Sequence, residues 1–292
     1  MDLREAKDPN GSTALYLAAA KGHLEVCRFL VEESGLDVNC SDADGMTPIF
    51  RAAAAGEVGV LRYLLDHGGD PAMPDAMRFT PLHIAAENGH YEAVALLLSR
   101  GVDADPLNSR LVTPLHVAAG KGHDQTLKLL LEHGADPNRI FLSVMSPLLL
   151  ACNARSFKCM ELLVAAGADV NFMNPYGSSP LIYATTNGLT DIVKLLLESG
   201  ADPNICDDFG KNPIMHAACD ERRDLVEILF PHTKPIAYVP SWSVDGIIST
   251  MKHLPSMVKG AGYGADAKIR GNEAFAKGDY AGAIYLYGIV NA

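Results

Sequence analysis

One phrase recurs through most of this chain at an almost constant interval. Its fullest form is Thr80-Pro81-Leu82-His83-Ile84-Ala85-Ala86, which returns as Thr113-Pro114-Leu115-His116-Val117-Ala118-Ala119. Looser copies begin at Thr13, Thr47, Ser146, Ser179 and Asn212; the first interval is 34 residues and every later one is 33. A fixed period of this length means that one small unit is built again and again and stacked on its neighbours. A single unit cannot cover its own apolar face, so the core is spread along the stack.

Each residue of the phrase has a physical task. The Thr, Ser or Asn at its head can accept a backbone N–H bond as a helix cap. Proline next to it gives up an N–H that the first turn leaves unbonded in any case, and its φ suits a helix start. The Leu or Ile points inward, and the Ala pair lets helices approach closely. Nine residues after the cap stand Gly22, Gly56, Gly89, Gly122 and Gly188, suited to the left-handed residue that ends a helix. A second apolar helix follows, marked by Leu64-Leu65, Leu97-Leu98, Leu130-Leu131 and Leu196-Leu197, and Gly-Ala-Asp at 134–136, 167–169 and 200–202 turns the chain into a hairpin finger.

On these motifs residues 10 to 231 resemble an ankyrin-repeat protein. The expected fold is all-α: an ankyrin solenoid of about seven helix-turn-helix-hairpin repeats, then a linker helix and one tetratricopeptide helix pair. The expected segments are a polar start at 1–10, the array at 11–231, a linker with a short helix at 232–264, and a partial tetratricopeptide unit at 265–292. Little precedes the first repeat, so either its end is open or an upstream segment is missing; the second is preferred. The fifth repeat departs from the pattern, with Arg155 for the helix-ending Gly and Leu149 for His. The seventh has Glu221 for Gly.

The hairpin fingers carry the expected binding surface. The family pattern places Asp or Asn five residues before the cap, which Asp42, Asp75, Asn108, Asn174 and Asp207 obey and Phe141 does not. Two residues before the cap it places Gly, for a positive φ; Gly45, Gly177 and Gly210 obey, whereas Arg78, Leu111 and Val144 do not. Apolar residues are harder to bury on fingers than in helices, and exposed apolar patches with aromatics and Arg mark partner sites. The expected partner-binding residues are therefore Met77, Phe79, Arg110, Leu111, Phe141, Met145, Phe172 and Tyr176. The alternative is that these side chains fold back and pack finger against finger, more so for Ile140 and Leu142 than for Phe141 and Tyr176.

After Pro231 the period stops. Ser241 is placed to cap a short helix, and Trp242, the only Trp, is expected to dock it on the open end of repeat seven; a separate binding motif is the alternative. Lys268 to Tyr287 resembles the opening unit of a tetratricopeptide domain, with Gly271 at the helix crossing and Ala283 and Tyr287 on the packing face. The order of parts resembles plant ankyrin–tetratricopeptide proteins. In co-chaperone members of the tetratricopeptide family a Lys and an Asn four residues apart grip a peptide's C-terminal carboxylates. Lys268 and Asn272 match that pair, so the resemblance implies contact with heat-shock chaperone tails. The family's clamp draws on two further repeats, however, and two solvated residues on one helix face remain the other reading.

Composition narrows the function. The net charge is −11, divided as −13 before the tail and +2 from Pro231 onward, which disfavours nucleic acid as a partner. No apolar run reaches the roughly 18 residues of a membrane span. Six cysteines without framework spacing read as reduced thiols, and the expected location is the cytoplasm, with the nucleus also open. No phosphate loop, zinc-protease helix or nucleophile elbow occurs. Cys206, His216 and Cys219 fit no zinc spacing. No cofactor, metal or catalytic group is expected. The expected function is a non-catalytic adaptor that holds a protein client on the concave finger face. A regulatory or targeting subunit of a phosphatase or ubiquitin ligase, with the tail only capping the stack, is the alternative.

Overall fold

A computed structural model describes residues 6–253. The chain divides into two compact units, Met1–Phe141 and Leu142–Ala292, and each is taken by itself.

The first unit holds four helix pairs. They are α1 (Ala14–Ala20) with α2 (Leu24–Arg28), α3 (Pro48–Ala55) with α4 (Val58–Asp66), α5 (Pro81–Glu87) with α6 (Tyr91–Ser99), and α7 (Pro114–Lys121) with α8 (Asp124–Glu132). A wider helical turn, Phe29–Glu33, extends α2. The odd-numbered helices α1, α3, α5 and α7 pack successively on one another, and the even-numbered ones form a second row behind them. The interface between rows is the core. Leu15, Ile49, Leu82 and Leu115 are buried from the first row, and Leu64, Leu97 and Leu130 from the second. The Ala pairs 52–53, 85–86 and 118–119 have no exposed surface, because the close approach that they allow leaves none.

The second unit holds α9 (Pro147–Asn153), α10 (Phe157–Ala165), α11 (Pro180–Thr186), α12 (Thr190–Glu198), α13 (Pro213–Cys219), α14 (Arg223–Leu229) and α15 (Val244–His253). The two-row pattern repeats, and α15 packs on α13 and α14. Trp242, just ahead of α15, stacks on Phe230 with ring centroids 5.5 Å apart. The linker helix thus sits against the last repeat as expected, but its cap is Ser243, whose Oγ accepts from Gly246 N–H at 3.1 Å. Ser241 instead gives its carbonyl to Ser243 N–H at 2.9 Å, which leaves Trp242 outside the helix.

The helix starts follow the phrase residue by residue. All seven heads, Thr13, Thr47, Thr80, Thr113, Ser146, Ser179 and Asn212, accept from the backbone N–H three residues on. The helix ends follow it less strictly. Gly122 closes α7 at φ 74, but Arg155 at φ 54 and Glu221 at φ 56 take the same left-handed turn with a side chain. A Cβ there crowds the following carbonyl, at a cost of about 1 to 2 kcal/mol. The turn is imposed because the second helix must return antiparallel to the first.

The described residues contain no strand; bridge residues occur singly, one pair being Lys7 and Thr13. No helix among them is long and apolar enough to cross a membrane. The six cysteines are all free thiols.

Candidate functional site: the hairpin fingers

Except at 140–145, where Phe141 takes its place, each finger is folded by one short polar side chain. In the first unit Asp75 Oδ1 accepts from Met77 N–H and Phe79 N–H at 2.9 and 2.8 Å. Asn108 Oδ1 accepts from Arg110 N–H and Val112 N–H at 2.9 and 3.0 Å. This is the Asx turn that these residue types favour. Neighbouring fingers are joined by backbone bonds, Ala76 N–H to Asp44 O at 2.8 Å and Ser109 N–H to Met77 O at 3.0 Å.

The phrase histidines pin the fingers down. His83 Nδ1 accepts from Thr80 N–H, so Nε2 carries the proton and donates to Val112 O at 2.9 Å. His116 does the same between Thr113 N–H and Arg139 O, the latter at 2.9 Å. These bonds reach the next repeat's finger. Burial pushes the His83 imidazole below its ordinary pKa, in keeping with the neutral form that this bonding needs.

The tips differ from the glycine pattern in a specific way. Arg78 and Leu111 stand at φ 61 and 62, in the conformation that Gly takes elsewhere. Their side chains are exposed, as are Met77 and Arg110; Met77 is 46% and Leu111 51% accessible. At the third departure, Val144, a β-branched residue would be worst placed at positive φ. The chain shifts the left-handed residues to Leu142 (φ 51) and Ser143 (φ 59), and Val144 is buried.

The expected binding residues therefore divide. In the first unit Met77, Arg110 and Leu111 stand out from the surface. Phe79 and Phe141 are half-buried and lie edge-on against His83 and His116, with centroids 5.5 and 5.7 Å apart. In the second unit Met145, Phe172 and Tyr176 are half-buried. The aromatic ring folds back and the aliphatic neighbours stay out, since Ile140 and Leu142 are 42% and 41% accessible. That reverses the expected order: a flat ring can lie on the histidine that already anchors the finger, whereas a branched side chain finds no such surface. Lys268 and Asn272 lie outside the described residues.

Two exposed tip residues were missed by the sequence reading. Phe209 is 50% accessible and stands 33 residues after Tyr176, so carrying the tip position one repeat further finds it. Arg78 was visible only as a missing glycine. The second unit adds one buried feature: Asp207 folds its finger through Phe209 and Lys211 N–H, both at 2.9 Å, and also meets His216 Nε2 at 2.8 Å, the two side chains 1% and 6% exposed. His216 is thereby bound to a carboxylate, and the described residues contain no group of three or more potential metal ligands.

Helix pairs capped by Thr-Pro, histidine-pinned fingers and a 33-residue period together define an interaction scaffold. Ankyrin-repeat family models match residues 2–75, 70–140 and 143–207, and the chain belongs to the ankyrin-repeat family. Among solved structures it is similar to the ankyrin repeat domain of Bcl-3, a member of the IkappaB protein family. That match has 30% identity and a TM-score of 0.66 over 75% of this chain and 99% of that one. The human ASB11 ankyrin repeat domain shares the fold at 24% identity and a TM-score of 0.64, over 84% of this chain and 100% of that one. No curated protein matches the chain. Ankyrin-repeat domains are in general non-catalytic protein-interaction modules, so the fold indicates protein partners.

Proposed function

We propose that this protein is a non-catalytic adaptor that captures a client protein on its finger side, with Met77, Arg110 and Leu111 of the first unit as the leading contacts. One observation carries the reading. Arg78 and Leu111 hold a left-handed backbone, at a cost of about 1 to 3 kcal/mol each, with side chains that are exposed. Strain of this kind also collects at functional sites, and here it carries exposed side chains on a finger tip rather than a turn between helices. An exposed apolar residue beside an arginine is what a partner would select.

The test uses Met77→Glu with Leu111→Glu, because these side chains make little of the core. Charge at Phe141 or Tyr176 would also strain a half-buried ring. Capture from a lysate of the expressing cells, read by quantitative mass spectrometry, is expected to lose the client while the melting temperature moves by only a few degrees. Undiminished capture by a folded double variant would sink the reading.

The tail supplies a second proposed contact, with the acidic C-termini of heat-shock chaperones, through Lys268 and Asn272. Its support is the tetratricopeptide resemblance alone. Chaperones captured by the full chain and lost with Lys268→Ala support it; chaperone recovery that ignores Lys268→Ala removes it.

A further inference from the structure

Between α3 and α5 of the first unit runs a groove of about 490 Å³, walled by Met46, Phe50, Ala54, Phe79 and Ile84. Arg51 stands in the same wall. Its guanidinium carbon lies 5.3 Å from the Tyr16 ring centroid, a cation–π contact that fixes the side chain without neutralising it. Its Nε is buried with no hydrogen-bond partner, and Arg51 forms no ion pair among the described residues. A buried donor left unbonded is costly and calls for a partner.

The carboxylates beside it are already engaged. Asp75 folds its own finger through Met77 and Phe79 N–H. Glu87 lies 3.6 Å from Lys121 Nζ. On the tips above, Arg78 and Arg110 are exposed and likewise form no ion pair among the described residues. A chain of net charge −11 thus presents three unpaired arginines along one apolar groove and the adjoining tips. Asp44, exposed on the preceding tip, opposes them from one side only, so the acidic part of a ligand would lie over Arg78 and Arg110.

We propose that this groove takes a peptide segment bearing carboxylates next to a large apolar side chain. The apolar side chain fills the space between Phe50, Phe79 and Ile84. One carboxylate meets Arg51, and flanking acids meet Arg78 and Arg110. Arginine suits the role because its planar fork bonds a carboxylate through two N–H groups, and complementary charge sets the choice of partner more than the raw affinity. The inference rests on the adaptor reading and names the chemistry of its client.

Fluorescence anisotropy of the whole protein with three short labelled peptides tests it: repeats of Leu-Glu-Gly, Leu-Lys-Gly and Ser-Glu-Gly. Leu-Glu-Gly is expected to bind best, to weaken as NaCl rises from about 0.05 to about 0.3 M, and to weaken about tenfold in Arg51→Gln, the loss of one charge-assisted bond. Ser-Glu-Gly should bind more weakly than Leu-Glu-Gly for want of the apolar anchor. Equal or tighter binding of Leu-Lys-Gly overturns the proposal, as does unchanged binding by folded Arg51→Gln. If Arg51→Gln does not fold, the double variant Arg78→Gln with Arg110→Gln decides: weaker Leu-Glu-Gly binding supports the proposal, and unchanged binding overturns it. If Leu-Glu-Gly fails to bind while client capture still depends on Met77 and Leu111, the acidic chemistry falls and the adaptor stands. If both fail, the adaptor reading falls as well.

Discussion

The fingers of the two units are folded by the same bonds and finished by different residues. Asp75 and Asn108 in the first unit, and Asn174 and Asp207 in the second, each accept from the N–H groups two and four residues on. Every tip therefore needs the same positive φ. The second unit meets the need with Gly177 and Gly210 at φ 71 and 73; the first does so once with Gly45 at φ 81, on the Asp42 finger, and otherwise with Arg78 and Leu111 at φ 61 and 62. Since the hydrogen bonding is shared, the substitutions gain nothing for the finger itself. They place a cation and an apolar side chain at the surface at some expense in stability. Strain of this kind collects at functional sites.

The largest effect should come from the finger with the extra bond. Asp207→Ala removes two backbone contacts and the link to His216 from a side chain that is 1% exposed. Losing one partner of such a pair costs about 3 kcal/mol. Asp75→Ala removes only the two backbone contacts and should cost about 1.5 kcal/mol. Guanidinium unfolding reports both, through Trp242 fluorescence for the second unit and circular dichroism for the first. Equal losses would mean that the His216 contact contributes nothing. The pair also sets an acid limit. Burial alone would raise the Asp207 pKa, but the bonds from His216 and from Lys211 N–H outweigh it and hold the group below the ordinary Asp value. Its contribution is thus complete above the unfolded Asp pKa of about 3.9 and is lost as pH falls through the folded value.

A smaller effect separates the two glycine tips. A Cβ on Gly177 would come within 2.6 Å of Asp208 N, whereas one on Gly210 would meet nothing within 4 Å. Gly210→Ala should therefore cost only the left-handed strain, about 1 kcal/mol, and Gly177→Ala about 2 kcal/mol or more, because backbone must move. Matching melting temperatures for the two variants would show that the second unit's tips yield more easily than their geometry implies.

The reverse exchange sharpens the comparison. Leu111→Gly should relieve strain and stabilise the first unit by about 1 kcal/mol, and Arg78→Gly by a similar amount. Both should weaken client capture. A variant that becomes more stable while binding less well is the expected mark of a residue held for its contacts. Gain of stability with capture intact would detach the tips from function.

The regular parts of the fold were legible because each is fixed within one repeat. Thr80, Pro81 and the Ala pair act on the backbone a few residues away, so their pattern alone predicts seven helix starts. The exceptions depended on contacts between repeats. Phe141 was expected to stand out more readily than Ile140, but only the stack puts His116 where a ring at 141 can meet it edge-on. Val144 marked a lost glycine, yet the turn moved to Leu142 and Ser143, a choice set by three-dimensional closure. Arg51 carried no signal in the sequence. Its character comes from Tyr16 and from the bonds that occupy neighbouring carboxylates.

The smallest effect concerns a position where the repeat's own chemistry is broken. Asn39 and Asn171 occupy equivalent places in the two units. Each accepts through Oδ1 from the next repeat, at Asp70 N–H and Asp202 N–H, and donates through Nδ2 to Gly68 O and Gly200 O. Asp105 stands at that place in the first unit. Its Oδ2 accepts from Asp136 N–H at 2.7 Å, but its Oδ1 is buried and unbonded, since a carboxylate has no N–H to offer. Burial raises the Asp105 pKa above the ordinary value. A raised folded pKa means that the folded state prefers the protonated form. This group's favourable share is present below the unfolded pKa of about 3.9 and is lost as pH rises through the folded value. Asp105→Asn restores the donor and removes the titration, so it should stabilise the protein at neutral pH by about 1 kcal/mol. The advantage should shrink on acidification to about pH 4, where the wild-type carboxyl regains its proton. Urea unfolding of both proteins at the two pH values measures that difference. An advantage that is constant with pH would trace the gain to packing and leave the Asp105 charge without a role.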